Sequence, residues 1–127
     1  MPEIICDTGF LMHMASGRIR NVDSFELPNI SYVVPAAVLR ELDRLVADPA
    51  KGHEASKASK LARSMTCVIP EGDYADEAIL DHVRRCGGMV ATTDQRLGRR
   101  IRAAGGSVVL LHDDCMVLAP PHRRPVR

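Results

Sequence analysis

Five short apolar runs, each stopped by a polar residue or a proline and alternating with stretches of helical period, confine this chain to a layered α/β fold. Glu3 to Cys6 stops at Asp7 and Thr8, Tyr32 to Val34 at Pro35, and Thr66 to Ile69 at Pro70. Met89 to Thr92 is followed closely by Asp94, and Ser107 to Leu111 ends at His112 and Asp113. A last edge strand fits around Met116 to Leu118. Between the runs, apolar residues three and four apart predict helices over Gly9 to Ile19, Ala36 to Ala47, His53 to Met65, Tyr74 to Cys86 and Gln95 to Ala103. The last two are each followed by a glycine pair, Gly87–Gly88 and Gly105–Gly106, suited to a left-handed helix stop. The expected architecture is a three-layer α/β/α sandwich around a mainly parallel sheet of about five strands.

Length and composition agree with one domain. At 127 residues, with 46% hydrophobic and 26% charged residues, the chain is of ordinary globular type and long enough to bury an aliphatic core without a staple. Residues 1–119 read as that domain and residues 120–127 as a Pro- and Arg-rich tail. Aromatic residues make up 3%, with no Trp, which argues against exposed aromatic platforms that stack bases. The formal net charge of +1 predicts no partner by itself. Its distribution is uneven, because Arg84, Arg85, Arg96, Arg99, Arg100, Arg102, Arg123, Arg124 and Arg127 meet only Asp94, Asp113 and Asp114 after residue 83. No apolar stretch approaches the roughly 20 residues of a spanning helix, so the expectation is a cytoplasmic protein with no membrane partner. Cys6, Cys67, Cys86 and Cys115 lack the close pairing of zinc or redox motifs and read as reduced, mostly buried thiols.

Parallel α/β sheets gather functional groups beyond the carboxyl ends of their strands, so the residues after each run come first. Asp7 closes the first run, Asp94 follows the fourth, and Asp76 opens the helix after the third. Ile79, Leu80 and Val83 lie three, four and seven residues beyond Asp76, which sets that acid over the apolar stripe and predicts that it points inward. Leu97 and Ile101 do the same for Asp94. Glu77 and Asp81 fall on the opposite face as solvated charges, with Arg85 a surface partner. Helix N-capping alone accounts for Asp76 or Asp94 taken singly. At Asp7 capping is less obvious. Three acids at strand ends together favour a shared site, and clustered like charges call for a compensating cation. With no spaced His or Cys ligands, oxygen donors suit Mg²⁺ or Mn²⁺. The helix after Pro35 offers Glu41 and Asp43 on the two borders of its stripe, and the helical wheel does not choose between them.

In order, "IICDTGFL" at Ile4 to Leu11, "VVPAAVLRELDRL" at Val33 to Leu45, "YADEAIL" at Tyr74 to Leu80 and "VATTDQRLGRRIR" at Val90 to Arg102 cover nearly the whole chain. This series resembles the PIN domain family of nucleases, especially the small archaeal type related to ribosomal-RNA processing nucleases and, more distantly, toxin ribonucleases. The resemblance implies a catalytic and metal-binding set of Asp7, Glu41, Asp76 and Asp94, with Thr8 and Thr93 as supporting hydroxyls. It implies a Mg²⁺- or Mn²⁺-dependent ribonuclease of RNA processing, in which Asp7 and Asp94 touch metal, Asp76 does so directly or through water, and Glu41 serves a second metal or orients the attacking water. A further acid that follows the late Asp in some relatives is replaced here by Gln95, Arg96 and Leu97.

A polyanionic substrate needs a basic rim, for which Arg96, Arg99 and Arg100, with Arg102 and the group Lys51, Lys57, Lys60 and Arg63, are the candidates; the plainer reading is a solvated charged face. The five histidines show no ligand spacing, and Met12, Met14 and Met65 read as core filler. The alternatives are a toxin with an antitoxin partner, a noncatalytic RNA-binding or scaffold protein, and a phospho-receiver domain. The complete acid set opposes the second, while the solitary Asp7 and the presence of His112 after the fifth run oppose the third. A ribosome-associated partner and a homodimer are further expectations of the family likeness.

Overall fold

The computed structural model describes residues 3–22, 25, 29–68 and 75–122. The elements run β1 (Glu3–Cys6), α1 (Thr8–Ala15), β2 (Ser31–Pro35), α2 (Ala36–Leu45), α3 (Gly52–Arg63), β3 (Thr66–Val68), α4 (Ala75–Cys86), β4 (Met89–Ala91), α5 (Gln95–Ala103), β5 (Ser107–His112) and β6 (Cys115–Ala119). The expected strand end at Ile69, the helix start at Tyr74 and the tail arginines Arg123, Arg124 and Arg127 lie outside the described residues.

The sheet has the order β3-β2-β1-β4-β5-β6. The first five strands in that order are parallel, and β6 returns antiparallel to β5 through Asp113 and Asp114, both at positive φ. Central parallel strands are covered on both faces, which is why β1 and β4 read as continuous apolar runs. Ile4, Cys6, Val90, Ala91, Val108 and Val109 are each 0% exposed. Crossovers that step in opposite directions along a sheet emerge on opposite faces under the right-handed rule, so α1 to α3 cover one face and α4 and α5 the other. Packing agrees, since α1 and α2 both contact α3 whereas α4 contacts α5. Helix α2 also meets α4.

Several predicted boundaries shift, each for a local reason. Helix α1 stops at Ala15 rather than Ile19, because Ser16 donates its hydroxyl to the His13 carbonyl and Gly17 takes φ +77°. The chain beyond is tied to the β5–β6 turn: Arg20 N–H donates to Asp114 O at 2.8 Å, and Asn21 exchanges hydrogen bonds with the Met116 backbone at 2.7 and 3.1 Å. Strand β4 ends at Ala91, one residue before Thr92. The thiols are less uniform than expected: all three described cysteines are free, but Cys6 is buried, Cys115 half-buried and Cys86 exposed. Among the described residues no helix is long and apolar enough to cross a membrane.

Candidate active site

Strands β1 and β2 and then β3 step one way across the sheet, whereas β4 and β5 step the other, so the order reverses between β1 and β4. At such a reversal the two crossovers leave on opposite faces and open a crevice at the carboxyl ends of the strands. Asp7 follows β1 there, and Thr92, Thr93 and Asp94 follow β4.

Asp7 is only 6% exposed, and each of its carboxylate oxygens accepts one hydrogen bond. Its Oδ1 accepts the Phe10 N–H at 2.8 Å, capping α1, and its Oδ2 accepts the Thr92 hydroxyl. The capping duty that the sequence left less obvious is therefore real. It does not consume the carboxylate, because each oxygen retains a second lone pair. Burial pushes the Asp7 pKa from 3.8 up to about 6, opposed by the Thr92 and Phe10 hydrogen bonds and reinforced by the charges of Asp76 and Asp94. Neighbouring Cys6 is displaced upward as well, by burial and by Asp7, and is a structural thiol.

Thr92 is the residue that sequence reasoning missed in favour of Thr93. Its side chain is completely buried and ties the two strand ends together, donating to Asp7 and accepting the Asp94 N–H at 3.0 Å. The only available signal was its place at the end of the fourth apolar run, where it reads as strand. Thr93 is exposed, with its Oγ1 directly over Gly9: an ideal Cβ on Gly9 would lie 2.5 Å from that oxygen.

Asp94 caps α5, with Oδ1 accepting Arg96 N–H at 2.9 Å and Leu97 N–H at 3.1 Å. Asp76 stands in the first turn of α4. Both are exposed, which corrects the expectation that they sit over the core. A side chain at a helix N-terminus projects past the end of the apolar stripe, here over the strand ends. Partial loss of solvent over the strand ends raises the Asp76 pKa although the residue is largely exposed, and the negative charges of Asp94, Glu41 and Glu77 add to it against Arg100. Glu41 joins from α2 through the α2–α4 contact, and Thr8 donates its hydroxyl to Glu41 Oε2 at 2.9 Å. Asp43, the other α2 candidate, faces away and pairs with Arg63 at 3.3 Å.

Asp7, Asp76, Asp94 and Glu41 thus share one electrostatic neighbourhood on four elements. Among the described residues no three His, Cys, Asp or Glu groups converge closely enough to ligate one ion together. The donor set still fits a hard divalent cation. It consists of carboxylate oxygens under mutual repulsion, and Mg²⁺ commonly keeps several waters while touching one or two carboxylates.

The α5 arginines offered for a basic rim divide between two sides of the helix. Arg100 turns to α4, pairing with Glu77 at 3.3 Å, and Asp81 pairs with Arg85 as expected. Arg99 and Arg102, three residues apart, face β5 and β6 instead.

The family model for a PIN like domain matches residues 4–114, and the chain belongs to that family. None of the curated proteins matches the sequence. Among solved structures, a domain of a functionally unknown protein from Methanocaldococcus jannaschii DSM 2661 is similar in fold, with a TM-score of 0.61 and 12% identity over 100% of this chain and 99% of that one. PIN domains are generally nucleases.

Proposed function

We propose that the protein is a Mg²⁺- or Mn²⁺-dependent ribonuclease acting at the β1–β4 crevice. The observation that carries this reading is that Asp7, Asp76, Asp94 and Glu41 share one electrostatic neighbourhood where the strand order reverses, with Asp7 buried and raised to about 6 by its surroundings. Negative charge gathered in this way, offset only in part by Arg100, is costly to a fold, and sites that retain such groups are functional candidates.

These carboxylates would hold a divalent ion, which would supply a water of lowered pKa and offset charge on the scissile phosphate. Asp7 and Asp94 are the ligands proposed for direct contact. Asp7 is held in one orientation by Thr92 and Phe10, and Asp94 uses Oδ1 for its cap and has no hydrogen bond at Oδ2 among the described residues. Asp76, in the first turn of α4, would hold the ion directly or through water. Glu41, fixed through Oε2 by Thr8, has Oε1 available to accept a proton from the attacking water. Positioning of this kind supplies much of the rate in phosphoryl chemistry, because it removes the entropy of assembling the reactants.

The test is cleavage of a structured and an unstructured RNA with Mn²⁺, Mg²⁺ or EDTA, beside Asp7→Asn. Cleavage that needs metal and disappears in the variant is expected. Cleavage that survives EDTA, or is equal in the variant, refutes the reading.

A further inference from the structure

We propose that the cleft between α5 and the β5–β6 hairpin binds one nucleotide of a single-stranded RNA, the nucleotide next to the phosphodiester held at the acid cluster. The identity of the ligand rests on the nuclease reading above. The cavity itself shares Thr92 and Thr93 with the acid site and is otherwise lined by different residues.

Its volume is about 510 Å³, within the range of small-ligand pockets. Thr92 and Thr93 line it, and the same two residues border the acids: Thr92 through its hydrogen bond to Asp7, Thr93 through its position over Gly9. A polynucleotide lying across Thr93 therefore passes directly from the acid cluster into the cleft. The apolar lining comes from Leu110, Leu111 and Val117, and Val117 is 46% exposed, a large aliphatic surface left open to water. Gly98 deepens the cavity. An ideal Cβ there would lie 3.5 Å from Leu110 Cδ2 and 3.6 Å from Val108 Cγ1, so a longer side chain would occupy the space.

Two cations stand at the edge of this apolar surface. Arg102 Nε donates to the Pro120 carbonyl at 2.7 Å, which holds its guanidinium in place. Arg99 makes no ion pair among the described residues, in contrast to Arg100 on the same helix. An apolar peptide segment would cover the aliphatic lining and leave the guanidinium charges unmatched. An inorganic anion would match the charges and leave the lining wet. A nucleotide does both, because its base has apolar faces that stack on planar guanidinium groups, and its phosphate accepts their paired N–H donors. In a chain with 3% aromatic residues, arginine is the available stacking plane.

The experiment uses the full chain carrying Asp7→Asn, so that RNA is bound and not cut. A nucleoside 5′-monophosphate and a five-nucleotide single-stranded RNA are titrated while amide resonances and fluorescence anisotropy are followed. Both ligands are expected to shift the Gly98, Leu110, Leu111 and Val117 amides. Adding Arg99→Glu or Val117→Asp is expected to weaken pentanucleotide binding at least about ten-fold, with an unchanged unfolding midpoint. Arg84→Glu, the same charge reversal outside the cleft, is expected to change it less than about two-fold, because a distant exposed charge is largely screened. In the otherwise unaltered enzyme with Mn²⁺, Arg99→Glu raises KM and leaves kcat, as loss of uniform binding requires. Shifts that map elsewhere, or cleft variants that bind and cleave like their parents, overturn the proposal. So does a dimer in solution whose cleft amides ignore the nucleotide. Failure of the nuclease reading looks different: no metal-dependent cleavage by the unaltered chain, while the nucleotide still shifts the cleft amides, which supports the site.

Discussion

Asp7→Asn is expected to make the metal-free protein more stable. The Asp7 carboxyl moves from 3.8 in the unfolded chain to about 6 in the fold. At pH 7 it is ionised in both states, and holding that charge in the crevice costs about 3 kcal/mol of folding free energy. Asparagine has the same shape, still accepts the Phe10 N–H through Oδ1, and carries no charge. Its amide nitrogen cannot accept the Thr92 hydroxyl, which returns about 1–2 kcal/mol of the gain. The net stabilisation is about 1–2 kcal/mol, or roughly 4–8 °C in Tm for a domain of this size. The pH dependence follows from the direction of the shift. Between the two pKa values the folded chain binds more protons than the unfolded one, so stability falls as pH rises from about 4 to about 6. Going from pH 7 to pH 5 therefore gives the unaltered protein about 1.4 kcal/mol through this group, and gives Asp7→Asn none of it. Thermal unfolding of both proteins in EDTA at pH 5 and 7 measures the difference. Excess Mn²⁺ should then reverse the order at pH 7, raising the Tm of the unaltered protein by more than that of the variant. If Asp7→Asn is less stable in EDTA at pH 7 and both proteins keep the same pH profile, Asp7 is only a satisfied cap and the crevice stores no electrostatic cost.

Thr92→Val removes one buried hydroxyl and leaves both Asp7 Oδ2 and the Asp94 N–H without it, so about 1–3 kcal/mol of stability should be lost in denaturant titrations. Metal affinity measured by calorimetry should fall with it. Thr8→Ala frees Glu41 Oε2, and RNA cleavage should drop in kcat by about ten-fold or more with KM little changed, since the hydroxyl only orients the carboxylate. Two glycines should respond oppositely to alanine in thermal unfolding. At Gly98 the new methyl meets ordinary van der Waals contacts inside a helix, and about 1 kcal/mol is gained from propensity. At Gly106 it would lie 2.8 Å from both Ile101 Cγ2 and Val83 Cγ1, and overpacking should cost about 1–3 kcal/mol.

Much of this molecule is legible along the chain, because hydrophobic period is a local property. Pro35 and Asp7 end strands where the pattern stops, and the hairpin strand Cys115–Ala119 was visible as the short apolar run around Met116 to Leu118. The likeness of four short motifs to the PIN family named the acids that the fold then brings near one another. The helical wheel did worse at helix ends. It placed Asp76 and Asp94 over the core, whereas the first turn carries their side chains beyond the stripe and into solvent over the strand ends. Thr92 was passed over because nothing local distinguishes a threonine that ends a strand from one that bonds a residue 85 positions away.

The sequence by itself determined the element types, the strand stops and the polar residues that fall just beyond them. Those follow from dihedral preference and from the spacing of apolar side chains, which act over a few residues. Only the tertiary structure decided that β1 lies between β2 and β4, that Thr92 joins the two acid-bearing strand ends, and that Arg100 and Arg99 face different neighbours from one helix. Strand order is set by how whole layers bury their faces against one another, and the crevice exists because two crossovers leave the β1–β4 pair in opposite directions.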